Sequence, residues 1–323
     1  MGRNPNQAQL TAGKSSQAHT QFSSYPPEVL SEIFIQCLPT YSAAPAAARA
    51  PMLLTTICKD WREIALSTPH LWSTFILSVD LVKTKDGCSL IRLFDTWLAR
   101  GGTCPLTMVI NGVSSGLRAE HSLPASFISA LSRSSSRWHD VNLMLPLADF
   151  YRLQANEGLP QLRRLSIKAT ANTAPLEESE SPFPPLNLFS HAPLLEDVSL
   201  EYGFILSNVT LPLHQLTYFD SRASTTVIAH YLEVFRKALG LIEIRLDVHN
   251  VERWGLSVPV QSNVKSINLR SSLMGENTSL NVLDSLTCPE LETLVISGLI
   301  PMLSEPLLRF LPRSSPPAAQ PFH

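Results

Sequence analysis

Charge is scarce in this chain. Asp, Glu, Lys and Arg make up 16% of 323 residues, and the signs nearly cancel, with 25 basic residues against 27 acidic ones. No sequence-wide positive field exists to hold phosphates, so nucleic acid is not an expected partner. No apolar run reaches the roughly 18 residues of a membrane span, and none is expected to insert. The opening residues are rich in Asn, Gln, Ser and Ala, lack the apolar core of a signal peptide, and read as a disordered leader over 1–23. Asn6 stands where myristoylation wants Ser or Thr. Cys37, Cys58, Cys88, Cys104 and Cys288 form no Cys-x-x-Cys pair, and their odd number fits reduced thiols in the cytoplasm or nucleus. The sequons at Asn208 and Asn277 then carry no glycan. His139, His191, His214, His230 and His249 lack the spacing of metal ligands, and no Gly-x-x-x-x-Gly-Lys segment is present. Neither a metal nor a cofactor is expected.

What the chain does have is apolar pattern, at 44% of residues. From Tyr25 it runs YPPEVLSEIFIQCLP, in which Leu30, Ile33, Phe34, Cys37 and Leu38 repeat at the spacing of one helix face. Pro27 suits the first turn because it has no amide hydrogen to lose, Glu28 favours the positive end of the helix dipole, and Pro39 stops the helix. After an Ala- and Pro-rich link, PMLLTTICKDWREIALSTPHLW repeats the pattern through Leu53, Leu54, Ile57, Cys58, Trp61, Ile64 and Ala65 until Pro69. Arg62 and Glu63 read as a solvated helix edge. Helices this short need another surface to pack on.

Beyond Trp72 the rhythm changes to strand-like Leu-x-x-Leu-x-Leu segments, beginning near 96–110. Their first apolar positions, Trp138, Leu162, Leu195, Leu216, Leu241, Val264 and Leu291, are separated by 24, 33, 21, 25, 23 and 27 residues. Five of these six intervals fall within the range of roughly 20 to 29 for leucine-rich repeats. The long one contains NTAPLEESESPFPP, an acidic, Pro-rich insertion at 172–185. Between strands lie helix-like stretches, clearest in VIAHYLEVFRKALG, where Val227, Ile228, Tyr231, Leu232, Phe235 and Leu239 share a face and Gly240 suits the C-terminal cap. Parallel strands alternating with helices, stacked so that neighbours bury what one unit cannot, are the expected result.

The N-terminal segment resembles the F-box over residues 24–75. Pro26 and Glu28 fit its Leu-Pro-x-Glu opening, with Tyr25 in the leucine position; Leu30, Ile33 and Phe34 fit its first helix. Ile57, Cys58, Trp61 and Arg62 fit its Val-Cys-x-x-Trp-Arg segment, and Leu71-Trp72 its closing pair. The whole arrangement, with WLARGGTCPL and loose repeats following, resembles F-box-like proteins of fungal type. The resemblance implies a fold of α plus α/β class, a small helical F-box followed by an irregular leucine-rich-repeat solenoid. It also implies a linking region at 76–136, an array at 137–311 and a disordered tail at 312–323. The Asn or Cys that such repeats carry after the strand is missing, and Thr170, Gly203 and Ser272 stand there instead.

The implied function is a substrate-recognition adaptor of an SCF-type cullin-RING ubiquitin ligase. Pro26, Pro27, Leu30, Ile33, Phe34, Leu38, Leu53, Ile57, Cys58 and Trp61 would meet the Skp-type adaptor. An unidentified client would meet the concave face, where strand alternation turns outward Asp140 and Asn142; Arg164, Ser166 and Lys168; Asp197, Ser199 and Glu201; Tyr218, Asp220 and Arg222; Glu243, Arg245 and Asp247; and Ser266, Asn268 and Arg270. Tyr218, Asp220, Arg222, Glu243, Arg245, Asn268 and Arg270 are the candidate contacts, since Tyr and Arg dominate such patches. Leu216, Phe219, Ile244 and Leu246 should be buried. Two other functions compete. One is an F-box scaffold whose binding does not lead to degradation. The other is a serine hydrolase, because Gly112-Val113-Ser114-Ser115-Gly116 matches a nucleophile elbow after a strand, although Pro124 interrupts the helix that an elbow needs and no HGGG-type loop precedes it. At the far end, Leu307, Leu308 and Leu311 have helical spacing and no further repeat follows. The strand at Leu294 and Ile296 should therefore present an open edge, with 301–323 poorly protected.

Overall fold

The computed structural model describes residues 25–39, 45–78, 87–111, 122–170, 184–222, 228–247, 259–270, 281–297 and 305–314. Outside them lie the leader at 1–23, the loop with Ser114, nearly all of the acidic insertion, Ser272, and the tail beyond 314. The chain divides into two compact units, Met1–Ile76 with Leu93–Cys104, and Leu77–Arg92 with Pro105–His323.

The first unit is built on an aromatic core. Helix α1 (Pro27–Gln36) starts with Pro27 in its first turn and Glu28 at its positive end, and it buries Leu30 and Phe34. The second helical stretch is not continuous. Cys58 adopts an extended backbone, φ −154° and ψ 175°, and its Sγ accepts a hydrogen bond from the Trp61 amide at 3.5 Å. Cys58 thus caps α3 (Lys59–Ser67) and separates it from the single turn α2 (Leu54–Ile57). Phe34 meets Trp61 at 4.8 Å between ring centroids, and Ser31 Oγ lies 3.0 Å from Thr68 Oγ1, joining α1 to the end of α3. A 3-10 turn, Pro69–Trp72, leads into strand β1 (Thr74–Ser78). The segment entering the 96–110 region, expected as strand, is instead helix α4 (Gly87–Gly101), and only Leu106–Asn111 is strand, as β2. Helical spacing explains the difference, because it places Phe94 and Trp97 on one buried face. Trp97 packs edge-on to Trp72 at 4.9 Å, and Phe75 packs edge-on to Phe94 at 4.8 Å. Both indoles are satisfied, Trp72 by the Ala65 carbonyl and Trp97 by the Thr74 carbonyl, each at 2.9 Å.

The second unit is a mixed helix and strand structure around a parallel sheet. Its strands are β2, β3 (Trp138–Pro146), β4 (Arg164–Thr170), β5 (Asp197–Glu201), β6 (Tyr218–Arg222) and β7 (Glu243–Asp247). They are followed by β8 (Val260–Gln261), β9 (Ser266–Arg270), β10 (Leu286–Thr287) and β11 (Thr293–Ser297). β2 to β7, then β9 and β11, pair in that order, every pair parallel, while β8 and β10 form a small parallel ladder of their own. Helices α5 (Ala125–Arg133), α6 (Leu147–Arg152), α7 (Ile228–Lys237), α8 (Asn281–Asp284) and α9 (Glu305–Ser314) lie between or after strands. No described α-helix lies between β4 and β5 or between β5 and β6, and a 3-10 turn (Leu213–Gln215) precedes β6.

Register explains the core. Val141, Leu165, Val198, Phe219, Ile244, Ile267 and Leu294 align across the strands. So do Leu143, Ile167, Leu200, Ser221, Leu246, Leu269 and Ile296. All are buried from β3 to β9, each large side chain contributing about 1.5 to 3 kcal/mol. The leading residues Trp138, Leu162, Leu195, Leu216, Leu241 and Val264 are buried beneath them, and Leu291 is half-buried. Ser221 is the polar rung. It lies 3.5 Å from the hydroxyl of Tyr231 on α7, which also donates to the Asp247 carbonyl at 3.3 Å. In α7 the buried face is Tyr231, Leu232, Val234 and Phe235, and Ala238 just beyond it is also buried, whereas Leu239 is 79% exposed because the helix has ended at Lys237. In α9 Phe310 and Ser314 face inward, and Leu308 and Leu311 point outward.

Gly203 lies two residues after the end of β5. Its φ is +88°, and a Cβ there would meet Ala169 Cβ at 2.5 Å, so both conformation and space demand glycine. Replacing Gly203 by Ala should lower unfolding free energy by roughly 2 kcal/mol or more, read as a shifted urea midpoint at constant slope. Cys288 is fully buried, and burial pushes its thiol up to about 12, so it stays protonated and unreactive at neutral pH. A thiol reagent applied to the native protein at pH 8 should modify exposed Cys37 and leave Cys288 unmodified until denaturant is added.

Candidate functional site

Each unit offers one surface. On the first, helix geometry divides what the apolar pattern had presented as a single face. Leu30 and Phe34 are 3% and 1% exposed, enclosed by the unit's own core. Ile33, Leu53 and Ile57 are exposed, at 42%, 40% and 42%, as are Pro26 and Pro27; Leu38, Cys58 and Trp61 are half-buried. The correction has a simple cause. Positions 30 and 34 form one stripe of α1, and positions 29 and 33 form a neighbouring stripe about 100° away. Val29, absent from the sequence-based set, belongs to that outer stripe and is exposed, with Tyr25 one turn earlier and Leu66 on α3 also exposed. The signal for Val29 was its i, i+4 relation to Ile33.

Basic groups border this unit. Arg100 stacks over the Trp72 ring at 4.4 Å, and burial, together with the charge of Arg62, lowers its pKa. A pocket of about 60 Å³ is lined by Leu38, Pro39, Pro51, Leu71, Ile76 and Trp97 among others, with Arg49 its one charged group. That volume is far below the roughly 300 Å³ at which small-molecule sites begin.

On the second unit, the polar face of the sheet carries a chain of alternating charge running across the strands. Lys168 Nζ lies 3.4 Å from Glu201, whose other oxygen lies 3.4 Å from Arg222 Nη1. Arg222 Nη2 is 3.2 Å from Asp220 Oδ2, and Arg270 Nη2 donates to Asp220 Oδ1 at 2.7 Å. Arg270 Nε is also 2.6 Å from Asp247 Oδ1, a close ion pair whose N–H is not aligned as a hydrogen bond. Beside this chain, Arg245 donates to Glu243 at 2.7 Å and lies over Tyr218, 5.5 Å from its centroid. Tyr218, Arg222, Glu243, Arg245, Asn268 and Arg270 are all partly exposed on this face, and Leu216, Phe219, Ile244 and Leu246 are buried beneath it.

Asp220 departs from expectation. It is 2% exposed and held by two guanidinium groups, so it organises the surface from below. Burial pulls the Arg222 pKa down, but Asp220 and Glu201 outweigh that and hold it above the ordinary arginine value. Burial, and then the charge of Asp220, raise the Tyr218 pKa, so its phenol remains a hydrogen-bond donor at neutral pH. The hydrogen bond to Glu243 raises the Arg245 pKa. Lys168, Glu201 and Asp247 complete the network although they were not among the candidate contacts; alternation of sign across the register was the available clue. The face is polar and balanced in charge.

No group of His, Cys, Asp and Glu among the described residues could hold a metal ion. The strands also follow one another without reversal of order, so the described sheet has no topological switch point of the kind where doubly wound sheets bind nucleotides. No helix of the described residues is long and apolar enough to cross a membrane.

Replacing Asp220 by Ala leaves Arg222 and Arg270 without their shared buried acceptor. It should cost about 1 to 3 kcal/mol in urea unfolding, discounted for the partial exposure of both arginines. Replacing the more exposed Glu243 should cost under about 0.5 kcal/mol in the same measurement.

Compared with protein-family models and with curated proteins, the chain finds no match in either set.

Proposed function

We propose that this chain is an F-box-type substrate-recognition adaptor of a cullin-RING ubiquitin ligase, non-enzymatic and acting in the cytoplasm or nucleus. The first unit docks onto a Skp-type adaptor, and the open face of the second unit, read as an irregular leucine-rich-repeat array, holds a client protein. One observation carries the reading. The helices that resemble an F-box have filled their own core with Leu30, Phe34, Leu54, Ala65, Leu71 and Trp72, yet Val29, Ile33, Leu53, Ile57 and Leu66 remain exposed within 38 residues of one another. Scattered exposed apolar residues are ordinary on a protein surface, but a concentration on short helices is what a partner groove would cover.

Other features support the same assignment. The described cysteines are free thiols, in keeping with a reducing compartment. The alternating charges of the sheet face leave Tyr218, Arg222 and Arg245 held in fixed orientations, so little side-chain entropy is lost on binding.

The test uses the full chain and a purified Skp-type adaptor. Ile33→Asp combined with Ile57→Asp places charge at exposed positions, so the fold should persist by circular dichroism while co-purification with the adaptor falls at least tenfold, about 1.4 kcal/mol. Leu30→Asp with Phe34→Asp should unfold the first unit instead. Undiminished binding by the Ile33 and Ile57 pair, or no binding by the unaltered chain, would remove the proposal.

A further inference from the structure

The described sheet ends on a strand with only one neighbour. β11 pairs with β9 over Thr293 to Ser297, and no described strand lies on its other side. Leu294 and Ile296 are half-buried where their counterparts in β9, Ile267 and Leu269, are fully covered, and Thr293, Val295 and Ser297 are exposed. The Thr293 N–H donates to the Lys265 carbonyl at 2.9 Å. Alternation along a parallel strand therefore turns the N–H and C=O groups of Leu294 and Ile296 toward the free side.

Edges of this kind are usually guarded by lysine, proline, inward charge or a bulge. Thr-Leu-Val-Ile-Ser contains no charge and no proline, and its register with β9 is uninterrupted. The strand is also close to self-complementary. Laid antiparallel on a second copy about Val295, it sets Leu294 against Ile296 of the other copy and Thr293 against Ser297, while Val295 meets Val295 on the axis. The free backbone groups at 294 and 296 then exchange reciprocal hydrogen bonds on each side of that axis, and the half-buried Leu294 and Ile296 gain apolar cover. A foreign peptide could satisfy the same backbone, but no side chain of the strand carries a charge with which to select one. The palindromic arrangement selects itself, and it is isologous, so it closes at two copies.

We propose that β11 is a homodimerisation edge through which two copies of this chain pair antiparallel, centred on Val295. The inference does not depend on the assignment of an adaptor or client. Sedimentation velocity on the full chain across the micromolar range should show the mean mass rising toward twice that of the monomer. Val295→Lys, at an exposed position, sets like charges opposite each other at closest approach and should leave a folded monomer at every concentration. Register is tested by crosslinking in a Cys37→Ser background. Val295→Cys should form a disulfide-linked dimer on oxidation, since the facing Cα separation of a non-hydrogen-bonded antiparallel pair permits the bond. Thr293→Cys alone should not link above the parent, and Thr293→Cys mixed with Ser297→Cys should. A wild-type chain that stays monomeric throughout, a Val295→Lys chain that associates like wild type, or Thr293→Cys linking to itself as well as Val295→Cys would each overturn the proposal.

Discussion

The second unit depends on one constraint, the unbroken register that sets Val141, Leu165, Val198, Phe219, Ile244 and Ile267 side by side. In a strand the side chains alternate, so a slip of one residue would bury the charged set and expose the apolar one. The cost of that slip is large because both sets are continuous across the sheet. Everything on the polar face inherits its position from this ladder. Asp220 reaches Arg270 only because β7 holds β6 and β9 in step, with Asp220 facing Arg245 and Arg245 facing Asn268. A pairwise ion-pair account would miss this. The network is a consequence of apolar register, and its energetic contribution is modest because most of its members are partly exposed.

The two units solve different problems with similar residues. In the first, short helices and few strands leave a small core, and large aromatic rings fill it: Trp72, Phe75, Phe94 and Trp97 form edge-on contacts at 4.8 to 5.8 Å. Rings of this size bury much area per residue, which suits a small core. Once they occupy the interior, aliphatic residues such as Val29 and Ile33 on the adjacent stripe have nowhere inside to go. In the second unit each strand finds its cover in the next strand and in the layer beneath, so exposed apolar groups on the sheet gather at its last strand.

Much of this was legible in the sequence because the signals were periodic. The repeat spacing from Trp138 to Val264 marks residues that are all buried, and strand alternation in β6 and β7 assigns Phe219, Ile244 and Leu246 to the inside. What was not legible arose where one residue's backbone or neighbours override the pattern. Cys58 fits a helical apolar stripe by spacing, yet its extended backbone makes it a cap. Leu239 fits the α7 face, but the helix stops two residues earlier. Asp220 alternates like an exposed residue and is buried by two arginines, one of them 50 positions away in sequence. Leu30, Ile33 and Phe34 all fit one broad apolar stripe, and only the packing of Trp61 against Phe34 decides which side is interior.

A parallel ladder that grows by adding strands in chain order differs from a barrel in having two ends, and its ends are chemically unlike its middle. The middle rewards repetition, because each new strand covers the last. The same repetition makes a terminal strand resemble an interior one, apolar at alternate positions and ready to pair. β11 carries that resemblance further than an edge normally does, since Leu294 and Ile296 continue both apolar rows while Val295 interrupts the polar row at the place held by Asn268 and Arg245 in the preceding strands. The same row holds a valine in β2 as well, Val109, but there it is half-buried, whereas Val295 is 42% exposed. An exposed apolar residue on the strand with no described neighbour on its far side is the point at which the regularity that builds the fold turns into a surface that can recognise another chain.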